Sequence, residues 1–240
     1  LERTRLHNRI NSILGIYDIA VIKHYPLPAD YIQGMAAPYE YFQKICMPDG
    51  CTPALNDAGW GDARSKLEEA LKLFPDRNDY RYTISQGKEG TPPAYTSAWL
   101  PYAGWYIMRS GWTTNDLYAH FEVGPFAPAH NHEDKLSFIL HANGKRLITE
   151  GGTFAYDTSR WRYHILSAGA HNVTRVDGMD QNRRALDNDS IRYNWSPLPN
   201  RWISTPDYDF GEGFYTEGFG PNHDTTVKQC RSLVRIANRY

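Results

Sequence analysis

Apolar residues recur at steps of three and four over the first third of the chain and at steps of two over much of the rest. Ile10, Ile13, Leu14, Tyr17 and Val21 share one helical face, Tyr31, Met35, Tyr39 and Phe42 a second, and Leu67, Ala70, Leu71 and Phe74 a third. Asp62 is placed to cap the last of these, Pro38 bends or splits the middle one, and Pro75 ends the helical part. Met47–Asp62, rich in Pro, Gly, Asn and Asp, reads as a long surface loop. Past residue 80 the period becomes two. Leu117, Ala119, Phe121 and Val123 face one way and Tyr118, His120 and Glu122 the other, which predicts a strand with one buried face. Asn143–Gly144 between Phe138–Ala142 and Lys145–Thr149 predicts a two-residue hairpin. Ala103–Arg109, His171–Val176, Ile191–Trp195 and Val227–Ile236 read as further strands. No helix-length pattern separates them, so the sheet is expected to be antiparallel. The expectation is an α+β chain, helical over 1–78 and antiparallel β over 79–240. The change of period at 75–95 is the boundary, and the last strand runs into the chain end as if the sheet continued.

Charge narrows the function classes. With 26 basic and 27 acidic residues the net charge is −1, which removes the electrostatic case for a nucleic-acid binder. Stretches such as Ser97–Met108 fall short of the ~18 apolar residues of a membrane span. Three cysteines, Cys46, Cys51 and Cys230, cannot all pair within the chain, and no zinc-type Cys/His spacing occurs. Aromatic residues make up 14% of the chain, a supply of rings that either stack on sugars or fill a sheet.

The candidate chemistry lies in His130-Asn131-His132-Glu133-Asp134-Lys135-Leu136-Ser137-Phe138. Histidines at i and i+2 point to one side of an extended backbone, and Pro125 and Pro128 disfavour a helix before them. His171 and Glu150 complete a set of two imidazoles and a carboxylate, a common zinc ligand set, while a His-x-His pair in a loop equally suits solvated or hydrogen-bonded histidines. Distance argues against coordination in a plain hairpin. If residue 142 pairs with 145, Glu150 lies five residues along the strand from His132, about 16 Å at ~3.3 Å per residue. Only a bend or bulge near Glu133–Leu136, or another register, joins them. The same register sets Tyr156 opposite Asn131, beside His130.

The blocks H-N-H-E-D-K-L-S-F, L-I-T-E-G-G-T-F-A-Y, R-Y-H-I-L-S-A-G-A-H-N-V and V-D-G-M-D-Q, in this order over 130–181, resemble the heparinase II/III-like polysaccharide lyases, which include oligoalginate lyases. Pro48-Asp49-Gly50 with Asn56-Asp57 resembles the segment before the last helix of that family's helical domain. The resemblance implies the end of an incomplete α/α toroid followed by an antiparallel β-sandwich, and a periplasmic or secreted enzyme cleaving heparin-like, heparan-like or alginate-like glycans by β-elimination. It implies a divalent metal, zinc or calcium, at His132, Glu150 and His171, with a catalytic histidine at His130 and a catalytic tyrosine in the region of Tyr156 and Tyr163. Glu150 stands where the family more often has Asp. The upstream helices from which members draw an Asn or His and a Tyr have no counterpart here, so the chain reads as a fragment carrying half the site.

Such a lyase removes the C5 proton beside a uronate carboxylate and expels the C4 oxygen, so charge on the carboxylate must be neutralised before an imidazole or tyrosinate can act. His130 suits either task, and Asn131 a further hydrogen bond or a turn. Arg160 and Arg162 can grip substrate carboxylates, Trp161 can stack on a sugar, and Arg183 and Arg184 read as solvated surface. A metal would fix the loop carrying His130. Two other classes stay open: a non-catalytic carbohydrate-binding or structural β-sandwich, and a metal-dependent hydrolase or cupin-like protein resting on the histidine pair. The partner expected is an acidic polysaccharide or oligosaccharide, with oligomeric state undetermined.

Overall fold

The computed structural model describes residues 16–126, 130–185 and 196–237, apart from Asp18 and Val21. Ile10, Ile13, Leu14, Val21 and the strand expected at Ile191–Trp195 lie outside the described residues. Among the described residues, the helical residues of 16–22 are followed in the first part of the chain by α1 (Ala29–Gly34), α2 (Ala36–Ile45), α3 (Ala63–Leu73) and α4 (Asn78–Ile84). The middle segment is divided as expected, but at Met35. Pro38 sits in the first turn of α2, where its missing N–H costs no helical bond. Asp62 caps α3 by accepting from the Arg64 backbone N–H at 3.0 Å. Helix does not end at Pro75. In α4 the buried Tyr80 joins Tyr39, Leu67 and Ala70 in one cluster, a seven-residue element too short to register as a period.

Among the described residues the strands are numbered β1 to β10 in chain order. The first two, β1 (Cys51–Thr52) and β2 (Gly61–Asp62), pair within Met47–Asp62. That loop is largely buried rather than superficial, with Met47, Pro48, Thr52, Pro53, Ala54 and Leu55 all inside. The main sheet orders β3 (Ala98–Leu100), β4 (Trp105–Arg109), β5 (Tyr118–Glu122), β6 (Phe138–Ala142) and β7 (Lys145–Ile148) as consecutive antiparallel neighbours. A smaller sheet orders β10 (Gln229–Ile236), β9 (Tyr208–Tyr215) and β8 (Trp202–Ser204), also antiparallel. His171–Val176 is not a strand. A 3₁₀ turn at Ala168–Ala170 leads into it, and Asn172 spends its amide on the carbonyls of Phe138 and Thr149.

β5 is buried on both faces, not one. Tyr118 on one side packs with Trp105, Ile107 and Ile139 against Tyr41, Ile45, Met47 and Leu55 of the helical part. Phe121 and Val123 on the other pack with Tyr106 and Leu136 against Tyr215, Phe219, Trp202 and Leu233. The main sheet is thus a middle layer between helices and the smaller sheet, and alternation in sequence signalled two different apolar partners. The sheets approach closely at β9, where a Cβ on Gly211 would lie 2.6 Å from Tyr106 and one on Gly213 2.5 Å from Val123. Arg109, buried on the helical side, donates to the carbonyls of Lys44 and Cys46 at 2.7 and 2.6 Å and so satisfies the end of α2.

Candidate active site

The segment between β5 and β6 folds back on itself. Leu136 takes a left-handed backbone (φ 70°), its N–H donates to the Glu122 carbonyl at 2.8 Å, and the Ser137 N–H donates to the Asp134 carbonyl at 2.9 Å. This is the bend at Glu133–Leu136 that a straight strand lacks. The Asn143–Gly144 turn pairs Ala142 with Lys145 as expected, and a register shift between Leu140 and His141 follows. Together they bring His132, Glu150 and His171 into one cluster. The two imidazole centroids lie 5.2 Å apart, His171 Nδ1 contacts Glu150 Oε2, and Ser137 Oγ contacts Glu150 Oε1.

Two irregular segments present the rest. The Asp57 N–H donates to the His130 carbonyl at 3.2 Å, and the His132 N–H donates to Asn56 Oδ1 at 3.1 Å, so the 47–62 loop clasps the His-x-His backbone. The Asp57 carboxylate then gathers three side chains. Arg162 donates to it in bidentate fashion at 2.5 and 2.8 Å, His132 Nε2 lies 3.0 Å away and His130 Nδ1 3.1 Å away. Burial alone would raise its pKa. The hydrogen bonds from Arg162, His132 and His130 outweigh that and hold the carboxyl below the usual range. A carboxylate only accepts, so both imidazoles donate to it, and on His130 the lone pair is left at Nε2. The His130 side chain is 47% exposed, whereas His132 is buried and its pKa is lowered chiefly by that burial. For His171 burial lowers the pKa, but the Glu150 carboxylate and the nearby Asp134 charge raise it further.

Tyr156 completes this edge, its hydroxyl 3.1 Å from His130 Nδ1 and its ring edge-on to the imidazole at 6.0 Å between centroids. Burial, with Asp57 adding to it, raises the phenol pKa. Helix α5 (Arg160–Leu166), capped by the Ser159 hydroxyl, carries Arg160, Trp161, Arg162 and Tyr163. Arg162 does not reach toward solvent for a substrate. Its guanidinium is taken up by Asp57 and by the Thr153 carbonyl at 3.0 Å. Arg160 lies over the Trp161 ring at 4.7 Å, and Trp161 and Tyr163 are exposed. The Asn131 carbonyl accepts from Arg184.

Arg183 and Arg184 are not the solvated pair expected from sequence. Arg183 is buried, its Nε donating to Glu217 at 2.6 Å, while Lys135 Nζ reaches the same carboxylate at 2.9 Å. Glu133 accepts from the backbone N–H groups of Arg183 and Arg184 at 2.5 and 2.7 Å. The residue that sequence reasoning passed over as a site member is Asp57. The available signal was an Asn-Asp pair inside a loop otherwise made of turn residues.

Among the described residues no group of three or more His, Cys, Asp and Glu side chains is arranged to hold a metal ion. Two buried ring nitrogens, His132 Nδ1 and His171 Nε2, nevertheless lack a hydrogen-bond partner. No helix among the described residues is long and apolar enough to cross a membrane.

Comparison with known proteins gives a consistent picture. Residues 92–227 match the family model described as "Heparinase II/III-like, C-terminal", and residues 5–82 that described as "Heparinase II/III N-terminus". A heparin-sulfate lyase of Bacteroides stercoris is 24% identical over 180 residues, covering 72% of this chain and 26% of the relative. One from Pedobacter heparinus is 27% identical over 132 residues, covering 54% and 20%. The chain therefore spans about a quarter of the length of these relatives. The crystal structure of heparan sulfate lyase HepC from Pedobacter heparinus superposes with a TM-score of 0.75 at 21% identity, covering 97% of this chain and 35% of that one. A heparinase III structure, the BT4657 gene product, gives 0.76 at 20%, covering 98% and 35%.

Proposed function

The chain belongs to the heparinase II/III-like family, and on that premise we propose that it supplies the β-sheet half of the active site of a polysaccharide lyase, one that cleaves heparin- or heparan-type glycans by β-elimination. The helical part is the end of an incomplete α/α toroid and the two sheets are part of an antiparallel β-sandwich. A polymeric glycan substrate suits a periplasmic or secreted location. The observation that carries the reading is the Asp57-anchored pair of His130 and Tyr156 at an exposed edge, 3.1 Å apart at Nδ1 and the hydroxyl.

His130 Nε2, with its lone pair outward, takes the C5 proton of the uronate. The electron pair left behind spreads onto the adjacent carboxylate, which needs donors, and the C4–O bond breaks as the double bond forms. The Tyr156 hydroxyl is placed to return a proton to the departing oxygen. Asp57 holds the His130 ring in place through Nδ1, while Arg162 keeps Asp57 ionised and fixed. Tyr163 and Arg160, both exposed on α5, are available for contact with neighbouring sugars or their anionic groups.

For a metal, the donor chemistry fits. With Nε2 of His132 donating to Asp57 and Nδ1 of His171 to Glu150, the partnerless His132 Nδ1 and His171 Nε2 each offer a lone pair, the form in which carboxylate-backed histidines bind zinc. His132, Glu150 and His171 would hold the ion, which would brace the loop bearing His130.

The test is absorbance of the unsaturated uronate when full-length protein meets heparin, heparan sulfate and alginate. Absorbance growing on the heparin-type chains supports the reading, and none on any uronic-acid polymer overturns it. Metal analysis of the purified protein beside His132→Ala addresses the ion separately. Loss of bound metal in the variant is expected, and equal content refutes the ligand set.

A further inference from the structure

Residues 151–159 lead from Glu150 to α5 without regular structure, and they are held at several points. A Cβ on Gly152 would run into the Ala58 carbonyl, so this backbone lies directly against the 47–62 loop. The Thr153 carbonyl accepts from Arg162 at 3.0 Å. Between these fixed points and Tyr156 stands Phe154, with a left-handed backbone (φ 57°) and a side chain 62% exposed.

Two unfavourable choices coincide at this residue. A left-handed backbone strains any residue with a Cβ, and the cost is largest for bulky ones. A phenyl ring in water forgoes the burial that makes the residue useful elsewhere. Glycine would avoid both. Nearby rings have contacts that account for them: Tyr156 meets His130 and the Arg162 guanidinium, and Trp161 lies under Arg160. Among the described residues the Phe154 ring meets no other aromatic ring and no guanidinium. Strained backbone held rigidly at a site edge is where a fold stores cost for function.

Phe154 is two residues from Tyr156, so their Cα atoms are at most about 7 Å apart, which is within reach of the next sugar along a chain that passes His130. The axial C–H bonds of a pyranose stack on an aromatic face, and a neutral ring tolerates neighbouring sulfates and carboxylates that a carboxylate side chain would repel. We infer that Phe154 is a stacking platform for the pyranose unit adjacent to the one whose C5 faces His130, a binding subsite for an acidic glycan. The inference rests on the lyase reading for its substrate, and on the backbone strain and exposure of Phe154 for its location.

The experiment compares full-length protein with Phe154→Gly and Phe154→Tyr, using a heparan sulfate tetrasaccharide in calorimetric binding, steady-state turnover and thermal unfolding. In Phe154→Gly a tenfold weaker affinity and a matching rise in KM are expected, with kcat within twofold and Tm equal or higher because the strain is gone. Phe154→Tyr keeps affinity within twofold. Unchanged affinity in the glycine variant overturns the subsite, and so does a fall in Tm with parallel losses in every readout, which would mark a structural residue. Binding that depends on the ring in a protein without turnover supports the platform while defeating the lyase reading. Failure of the unsubstituted protein to bind the tetrasaccharide defeats both.

Discussion

Two carboxylates in this chain gather basic partners around themselves, and they do so to different ends. Glu217 accepts from Lys135 and Arg183, both buried, and is itself mostly covered. Burial would raise its pKa, but the two cations pull it down to about 2. Asp57 accepts from Arg162, His132 and His130, and one of the three, His130, reaches solvent. The device is the same. An enclosed set fixes the segments carrying residues 133–137 and 183 to the turn before Phe219. A set with one open member converts the same rigidity into an aimed imidazole.

Breaking the closed set should cost most. Glu217→Ala leaves Lys135 and Arg183 buried without their carboxylate, and a loss of about 3–5 kcal/mol is expected in chemical denaturation. Asp57→Asn keeps the shape but removes the charge. It should lose about 2–3 kcal/mol, since Arg162 keeps the Thr153 carbonyl as an acceptor, and turnover by the full-length protein should fall at least about 100-fold.

A buried histidine without any charge partner sharpens the contrast. His120 stacks edge-on against Trp105 at 5.1 Å with its Nε2 unpartnered, and burial pushes its pKa down to about 3 from 6.5. The unfolded chain therefore binds a proton below pH 6.5 that the folded chain refuses. The associated stability is complete above that pH and is lost as the pH falls toward 3, at up to about 1.4 kcal/mol per pH unit. Denaturation at pH 7.5 and 5 should show this slope, and His120→Gln should flatten it by one proton. The smallest effect on stability belongs to the open member: His130→Ala should leave the fold within about 0.5 kcal/mol while turnover drops by about 10²–10⁴. Equal destabilisation by His130→Ala and Glu217→Ala would erase the distinction between the sets.

Much of this was legible in the chain. The helical faces, the Asp62 cap, the Asn143–Gly144 turn and antiparallel pairing follow from local chemistry, whereas Tyr156 reaches His130 through the irregular segment after β7 and not through the hairpin register, which shifts between Leu140 and His141. What escaped was set by contacts between distant segments. Alternation in β5 was read as one wet face because a second apolar layer, supplied by Tyr41 and Ile45, has no local signature. Arg183 looked solvated because its partner lies 34 positions away at Glu217. The 47–62 loop looked superficial because its turn residues say how it bends and not what it bends around. His132 and Glu150 were brought to either side of His171 by the register shift at Leu140/His141 and by a bend at the left-handed residue Leu136, a backbone that no propensity assigns to leucine.

The same loop has a consequence for rebuilding this protein. Residues 47–62 lie in sequence among the helices, yet their Asn56 and Asp57 are spent on the backbone and side chains that follow β5. A chimera joining the helices of one relative to the sheets of another would have to cut before residue 47 and again after 62, and carry that insert over with the strands. A graft spliced at the visible change of period would arrive with its imidazole unaimed.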